Sequence, residues 1–328
     1  MAESAQRIMG QPGGGWVFGL AAWLALATAA LAAPAVGQSL AAAAAGADPA
    51  AAQVARGHYL YHAAGCENCH TDRRHKGAPL AGGRRLATPF GVFYAPNITP
   101  DPEHGIGRWR EEDFLRALRE GISPRGEHYY PVFPYTSYTR MTDEDLRALW
   151  AYLRSVPPVA QPNRPHELPW YLGFRPLIAV WKWLYFTPGP WRPDPTRPPV
   201  WNRGAYLVEA VGHCGECHTP RNFFGGLRSD LHLAGTASGP EGGVVPNITP
   251  DRATGIGRWR RAELAYYFET GMTPDGDFAG DQMAEVIEYG LSRLSQEDRL
   301  AMADYLLSLP PIAHAVRKPK KKKDTFEY

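Results

Sequence analysis

Apolar positions fall into a few short stretches at helical spacing, separated by long runs rich in Gly and Pro. Leu146, Leu149, Trp150 and Leu153 recur three and four residues apart, the spacing that puts side chains on one face of a helix. Thr142, with Asp145 three residues on, marks the start of that helix as an Asp variant of the capping box, and Pro157-Pro158 stops it. The same punctuation recurs at Ser295, Asp298 and Pro310-Pro311. A middle helix is predicted from Glu111 to Glu120, closed by Gly121, and another from Arg261 to Thr270, closed by Gly271. No stretch alternates convincingly as strands do, so the expected class is all-α. One stretch differs in kind: Trp16 to Ala33 is apolar throughout, ends at Pro34 and is followed by small residues. It predicts an export signal over 1–38, either cleaved or retained as a single membrane anchor.

The pattern occurs twice. Asn97-Ile98-Thr99-Pro100-Asp101 returns as Asn247-Ile248-Thr249-Pro250-Asp251, and Gly105-Ile106-Gly107-Arg108-Trp109-Arg110 as Gly255-Ile256-Gly257-Arg258-Trp259-Arg260. Upstream, Arg56-Gly57-x-Tyr59-Leu60 matches Arg203-Gly204-x-Tyr206-Leu207. The expected organisation is therefore two like domains, 50–158 and 202–312, each made of helices joined by Gly/Pro-rich loops. Residues 159–201 form a Pro-rich link containing Trp170-Tyr171-Leu172-Gly173-Phe174 and Trp181-Lys182-Trp183-Leu184-Tyr185-Phe186. Arg175 and Lys182 interrupt its apolar run, which argues against a spanning helix. Its aromatics either fill the seam between the domains or present a patch to a membrane surface or partner.

Composition narrows this further. At 44% hydrophobic and 21% charged residues the chain is of globular type, and a net charge of +2 gives no bias toward nucleic acid. The basic residues cluster in Arg317-Lys318-Pro319-Lys320-Lys321-Lys322-Lys323, within a tail over 313–328 expected to be solvated. The four cysteines all fall in two pentapeptides, Cys66-Glu67-Asn68-Cys69-His70 and Cys214-Gly215-Glu216-Cys217-His218, leaving none for a structural disulfide.

Covalent attachment of haem c requires two thiols about one helical turn apart, to reach the two vinyl groups of one porphyrin. A His directly after the second thiol then places an imidazole under the iron. A thioredoxin-type pair would need a βαβ context, and a zinc site would have to join the two motifs, each of which lies inside its own complete repeat. Two covalently bound haem c groups are expected, with His70 and His218 as proximal ligands. A Met from the loop before the last helix is the expected sixth ligand, and in copy two Met283, in the loop Gly280 to Glu285, is the choice over Met272 and Met302. The corresponding position of copy one is Phe133, which cannot ligate iron. Three alternatives stand for the first haem: ligation by Met141, ligation by His128 or another group, or an open position. Trp109 and Trp259, with Arg108 and Arg258, are candidates to meet haem propionates, and core packing of the indoles is the equal alternative.

The chain resembles the multihaem cytochrome c subunits of membrane-associated bacterial alcohol, aldehyde and gluconate dehydrogenases, and related dihaem cytochromes c. The resemblance lies in Cys-x-x-Cys-His-Thr, the Asn-Ile-Thr-Pro-Asp block, Tyr130-Pro131-Val132-Phe133-Pro134-Tyr135, and Thr273 to Asp277 followed by Met283-Ala284-Glu285-Val286. It implies two tandem class I cytochrome c domains in a periplasmic electron carrier rather than an enzyme. A dehydrogenase would donate electrons, and quinone, a cytochrome or a terminal oxidase would accept them. Family members often have Met where this chain has Phe133. Two rivals follow from the residues: an oxidoreductase or peroxidase working at an open first haem, and a cytochrome subunit anchoring its partner at the membrane.

Overall fold

Helices set the frame of the computed structural model, which describes residues 48–317. The predicted export segment and the lysine run from Lys318 onward lie outside those residues. In chain order the helices are α1 Pro49–Ala63, α2 Cys66–His70, α3 Glu111–Glu120, α4 Tyr135–Tyr138, α5 Asp143–Ser155, α6 Pro176–Tyr185, α7 Pro199–Tyr206, α8 Gly215–His218, α9 Arg261–Thr270, α10 Asp281–Tyr289 and α11 Gln296–Ser308. Among the described residues no helix is long and apolar enough to cross a membrane.

In copy one α1 packs along α5, and in copy two α7 packs along α11. The glycine of each Arg-Gly-x-Tyr motif makes that crossing close. A Cβ on Gly57 would lie 1.9 Å from the carbonyl oxygen of Ala148, and one on Gly204 would lie 1.9 Å from that of Ala301. Leu60, Leu146, Leu149 and Leu153 are enclosed by this packing, as are Leu207, Met302 and Leu306 in copy two. The middle helices α3 and α9 end where the sequence predicts, at Gly121 and Gly271 in the left-handed conformation (φ 61 and 77°).

The helix leading into each Cys-x-x-Cys-His is broken, and the all-α expectation needs a correction. Gly65 turns left-handed before Cys66, and copy two passes through a π-helical turn, Leu207–Val211, before α8. The fold is also mostly rather than wholly helical. Strands β1 Arg85–Thr88 and β2 Gly91–Tyr94 form an antiparallel hairpin with Thr88 opposite Gly91. Four residues a side is too short for alternation to register.

The connecting segment packs on this hairpin. Glu167 pairs with Val92 through two backbone hydrogen bonds of 2.9 Å, and Ile178 joins Phe93 and Tyr130 in a small second core. Lys182 breaks the apolar run of this segment in sequence. It turns inward and is buried, its Nζ donating to the carbonyls of Glu120 and Gly121 at the C-terminus of α3 and to His128 Nδ1 at 3.0 Å. That is a favourable place for a cation, because the last carbonyls of a helix lack intrahelical donors. Burial still pulls its pKa down to about 8. The opposite face of α6 is exposed and apolar: Leu177, Val180, Trp183 and Leu184, with Trp170 and Phe174 just before it. Trp170 is 90% and Trp183 82% exposed.

Candidate functional site

Each Cys-x-x-Cys-His ends in the same local construction. His70 Nδ1 lies 2.7 Å from the carbonyl oxygen of Pro96, and His218 Nδ1 lies 2.8 Å from that of Pro246. A carbonyl can only accept, so Nδ1 carries the proton in both rings and Nε2 is the nitrogen left to bind a metal. The residue after each His closes the loop. Thr71 Oγ1 accepts from Leu80 N and Thr219 Oγ1 from Leu233 N, each at 3.0 Å.

The repeated Asn-Ile-Thr block holds those proline carbonyls in place. Asn97 is buried, its Oδ1 accepting from the backbone N and the hydroxyl of Thr99 at 2.9 and 2.7 Å. Its Nδ2 donates to the carbonyls of Val159 and Gln161. Asn247 does the same with Thr249, and its Nδ2 reaches Ile312 O and Thr254 Oγ1. A buried amide with every group engaged is a structural tie. The proline carbonyls themselves are functional groups that sequence reasoning missed; their signal was the proline before each repeated Asn.

Among the described residues no three His, Cys, Asp or Glu side chains converge to hold a metal ion by themselves. The zinc alternative therefore lacks its geometry. Two thiols one helical turn apart and an imidazole with its Nε2 free suit a larger group that brings its own metal, and haem c is the group this donor set fits. No two of the four cysteines are joined in a disulfide. Burial pushes Cys66, Cys214 and Cys217 up to about 12, and burial also lowers His70 and His218 below the usual imidazole value.

At the positions expected to supply a sixth ligand the copies differ. Met283 is not in a loop; it lies in the first turn of α10, half-buried against the core. Its helix forms because Gly280 precedes a run of residues without Gly or Pro up to Gly290. Phe133 packs edge-on against Tyr129 and Tyr135, with ring centroids at 5.5 and 6.2 Å. Met141 is 0% exposed and belongs to the same core as Leu294, the residue before the N-cap in copy two. His128 has its Nδ1 taken by Lys182. Trp109 and Trp259 are half-buried against the core, Trp259 beside Tyr267 at 5.3 Å, while Arg108 and Arg258 are exposed.

The two motifs lie against each other. The carbonyl of Ala64, two residues before Cys66, accepts from Tyr138 Oη at 2.7 Å and from His213 Nε2 at 3.2 Å, and His213 immediately precedes Cys214. Glu216, inside the second motif, accepts from the hydroxyls of Thr136 and Ser137 of copy one. In the other direction α10 of copy two packs on α2, where Arg84 bridges the carbonyl of Asn68 and the carboxylate of Glu285. Besides burial and the neighbouring Glu216, Cys69 of the first motif contributes to raising the Cys217 thiol. Nothing in the sequence pattern marked Tyr138 or His213.

The profile of the cytochrome c family matches residues 54–157. A "Diheme cytochrome c-type" protein of Cereibacter sphaeroides is 44% identical over 264 residues, which cover 79% of this chain and 87% of that protein. The fructose dehydrogenase cytochrome subunit of Gluconobacter japonicus is 43% identical, over 80% of this chain and 54% of its own length. The gluconate 2-dehydrogenase cytochrome c subunit of Pantoea cypripedii is 40% identical, over 79% and 60%. The chain thus spans little more than half the length of these dehydrogenase subunits.

Proposed function

Since the chain belongs to the c-type cytochromes, we propose that it is a dihaem electron carrier. In this reading it has two tandem class I cytochrome c domains, with the connecting segment as their link. Haem would be held through thioethers at Cys66 and Cys69 and at Cys214 and Cys217, with His70 and His218 as proximal ligands. The observation that carries the reading is the doubled second shell, in which Pro96 and Pro246 fix both imidazoles in the same tautomer. When bound, the haem iron supplies a one-electron ferric–ferrous couple. The protein's part would be to orient the imidazoles, hold the two motifs together and offer Met283 as a further ligand. Trp109 and Trp259 are assigned to the propionates.

A partner dehydrogenase, as in the named relatives, is the proposed donor, with quinone, a cytochrome or a terminal oxidase as acceptor. The predicted export segment supports a periplasmic site of action. The exposed apolar face of α6 supports contact with the membrane surface, where Trp rings sit well. Release by high salt without detergent would refute that contact.

The test of the dihaem reading is haem content with variants. Two covalent haems per chain are expected, one after Cys66→Ala with Cys69→Ala, and one after the same change at Cys214 and Cys217. A wild type with a single haem, or with none, overturns it. A second reading rests on Phe133: an open first haem able to bind small molecules, as an oxidoreductase or peroxidase would need. Failure of carbon monoxide to bind the reduced protein removes it.

A further inference from the structure

The motif Arg-Gly-x-Tyr and the Asp of each last helix meet across the two copies in a reciprocal clasp. Tyr59 of copy one donates from Oη to Asp298 Oδ2 of copy two at 2.5 Å, and its oxygen accepts from Ser295 N at 3.1 Å. Tyr206 of copy two donates to Asp145 Oδ2 of copy one at 2.6 Å and accepts from Thr142 N at 3.1 Å. Each tyrosine has entered a capping box belonging to the other copy. Thr142 and Ser295 still accept from the N3 backbone N–H at 3.2 Å. The return bond from the Asp to the N-cap N–H is replaced by a relay through the foreign phenol.

The clasp adds something that folding of either half does not need. Asp145 is already paired with Arg56 and Asp298 with Arg203, each within its own copy. A capping box could have closed without a tyrosine. What the phenols add to these ion pairs within each copy is a directional, charge-assisted bond between copies. Tyr59 lies on α1, which leads directly to Cys66, and Tyr206 ends α7, which leads to Cys214. Between the clasps lie the Ala64 carbonyl, Tyr138, His213 and Glu216 contacts that join the motifs themselves.

Resting on the dihaem reading above, we propose that Tyr59–Asp298 and Tyr206–Asp145 are positioning pairs. They hold the two Cys-x-x-Cys-His helices, and the porphyrin each would anchor, in one fixed mutual orientation. Two strongly absorbing rings held close at a fixed angle couple, and circular dichroism in the Soret region reads that coupling as a bisignate band.

The experiment uses the full-length holoprotein with Tyr59→Phe, Tyr206→Phe and the double variant. The expected result is a bisignate band in the wild type, a smaller one in each single variant, and loss of most of its amplitude in the double, with haem content and far-ultraviolet spectrum unchanged. Leu149→Ala, a core truncation inside copy one, is the control: it lowers the unfolding temperature and keeps the band. An unchanged band in the double variant, or a wild type with two haems and no couplet, overturns the proposal while leaving the dihaem reading intact. A wild type without two haems overturns the dihaem reading first, and is seen in haem content alone. The single variants each keep one clasp and carry the test if the double does not accumulate.

Discussion

Replacing Gly204 by Ala tests how the copy-two frame is held. In an isolated helix the change would help, since Ala exceeds Gly by about 1 kcal/mol in helix propensity. Here the added Cβ would sit 1.9 Å from Ala301 O and 3.0 Å from Tyr305 Cβ, where ordinary contact begins at 3.4 Å. The obstructing atom is backbone, so α7 and α11 must part along their contact. Overpacking of this kind costs about 3 kcal/mol or slightly more when no side chain can swing away. Net of the propensity gain, the loss is about 2 kcal/mol, which for a unit of this size lowers the unfolding temperature by roughly 4–8 °C. Thermal unfolding followed by far-ultraviolet circular dichroism measures it. Gly173→Ala serves as reference, because its Cβ would meet nothing within 4 Å. An unfolding temperature for Gly204→Ala at or above that of the wild type would refute the close-crossing argument.

Asn97→Ala removes four buried hydrogen bonds and should cost about 3–4 kcal/mol at roughly 1 kcal/mol each. It should also shift the midpoint potential of the His70 haem alone; equal shifts at both haems would show that the Asn ties are not local. At low pH, Asp298 and Glu209 govern a stability loss. Burial works to raise both carboxyls, but Arg203 and Tyr59 at Asp298, and His232, Tyr305 and Arg140 at Glu209, hold them below the usual value. A depressed folded pKa gives stability that is complete above the ordinary carboxylate range, near pH 4, and lost as pH falls through the folded value. Unfolding temperatures measured from pH 7 to pH 3 should therefore fall on the acid side, less steeply in Asp298→Asn; an equal slope in that variant would remove Asp298 from the explanation.

The elements legible in the sequence were those whose cause is local. The ends of α3 and α9 follow from Gly121 and Gly271, and the starts of α5 and α11 from Thr142 and Ser295, because capping is decided within a few residues. Each Cys-x-x-Cys-His pentapeptide is likewise local. What could not be read were partners distant in sequence: Pro96 O for His70, Tyr206 for Asp145, Ala64 O for Tyr138. Only the Thr142 half of the expected capping box forms, because the phenol oxygen of Tyr206, distant in sequence, accepts from the Thr142 N–H in place of the Asp145 carboxylate. Lys182 likewise looked like a break in an apolar run, because charge does not reveal which way a side chain turns.

A duplicated chain is in effect a dimer with its subunits fused, and a two-fold interface requires that if residue i meets j, then j meets i. The Tyr59–Asp298 and Tyr206–Asp145 contacts obey that rule, as do the proximal Pro96 and Pro246 bonds within each copy. The departures from symmetry lie elsewhere. Four-residue α4 follows Phe133, whereas Met283 lies in the first turn of the nine-residue α10, and among the described residues only copy one carries the β1–β2 hairpin and receives Lys182 of the connecting segment. A fused dimer can diverge freely only where it does not spoil reciprocal contacts, and the distal side of each site is such a place. Attachment and mutual placement are thus the quantities the two halves hold in common. On the dihaem reading, the residue offered opposite each imidazole is the one left free to set the two haems at different potentials.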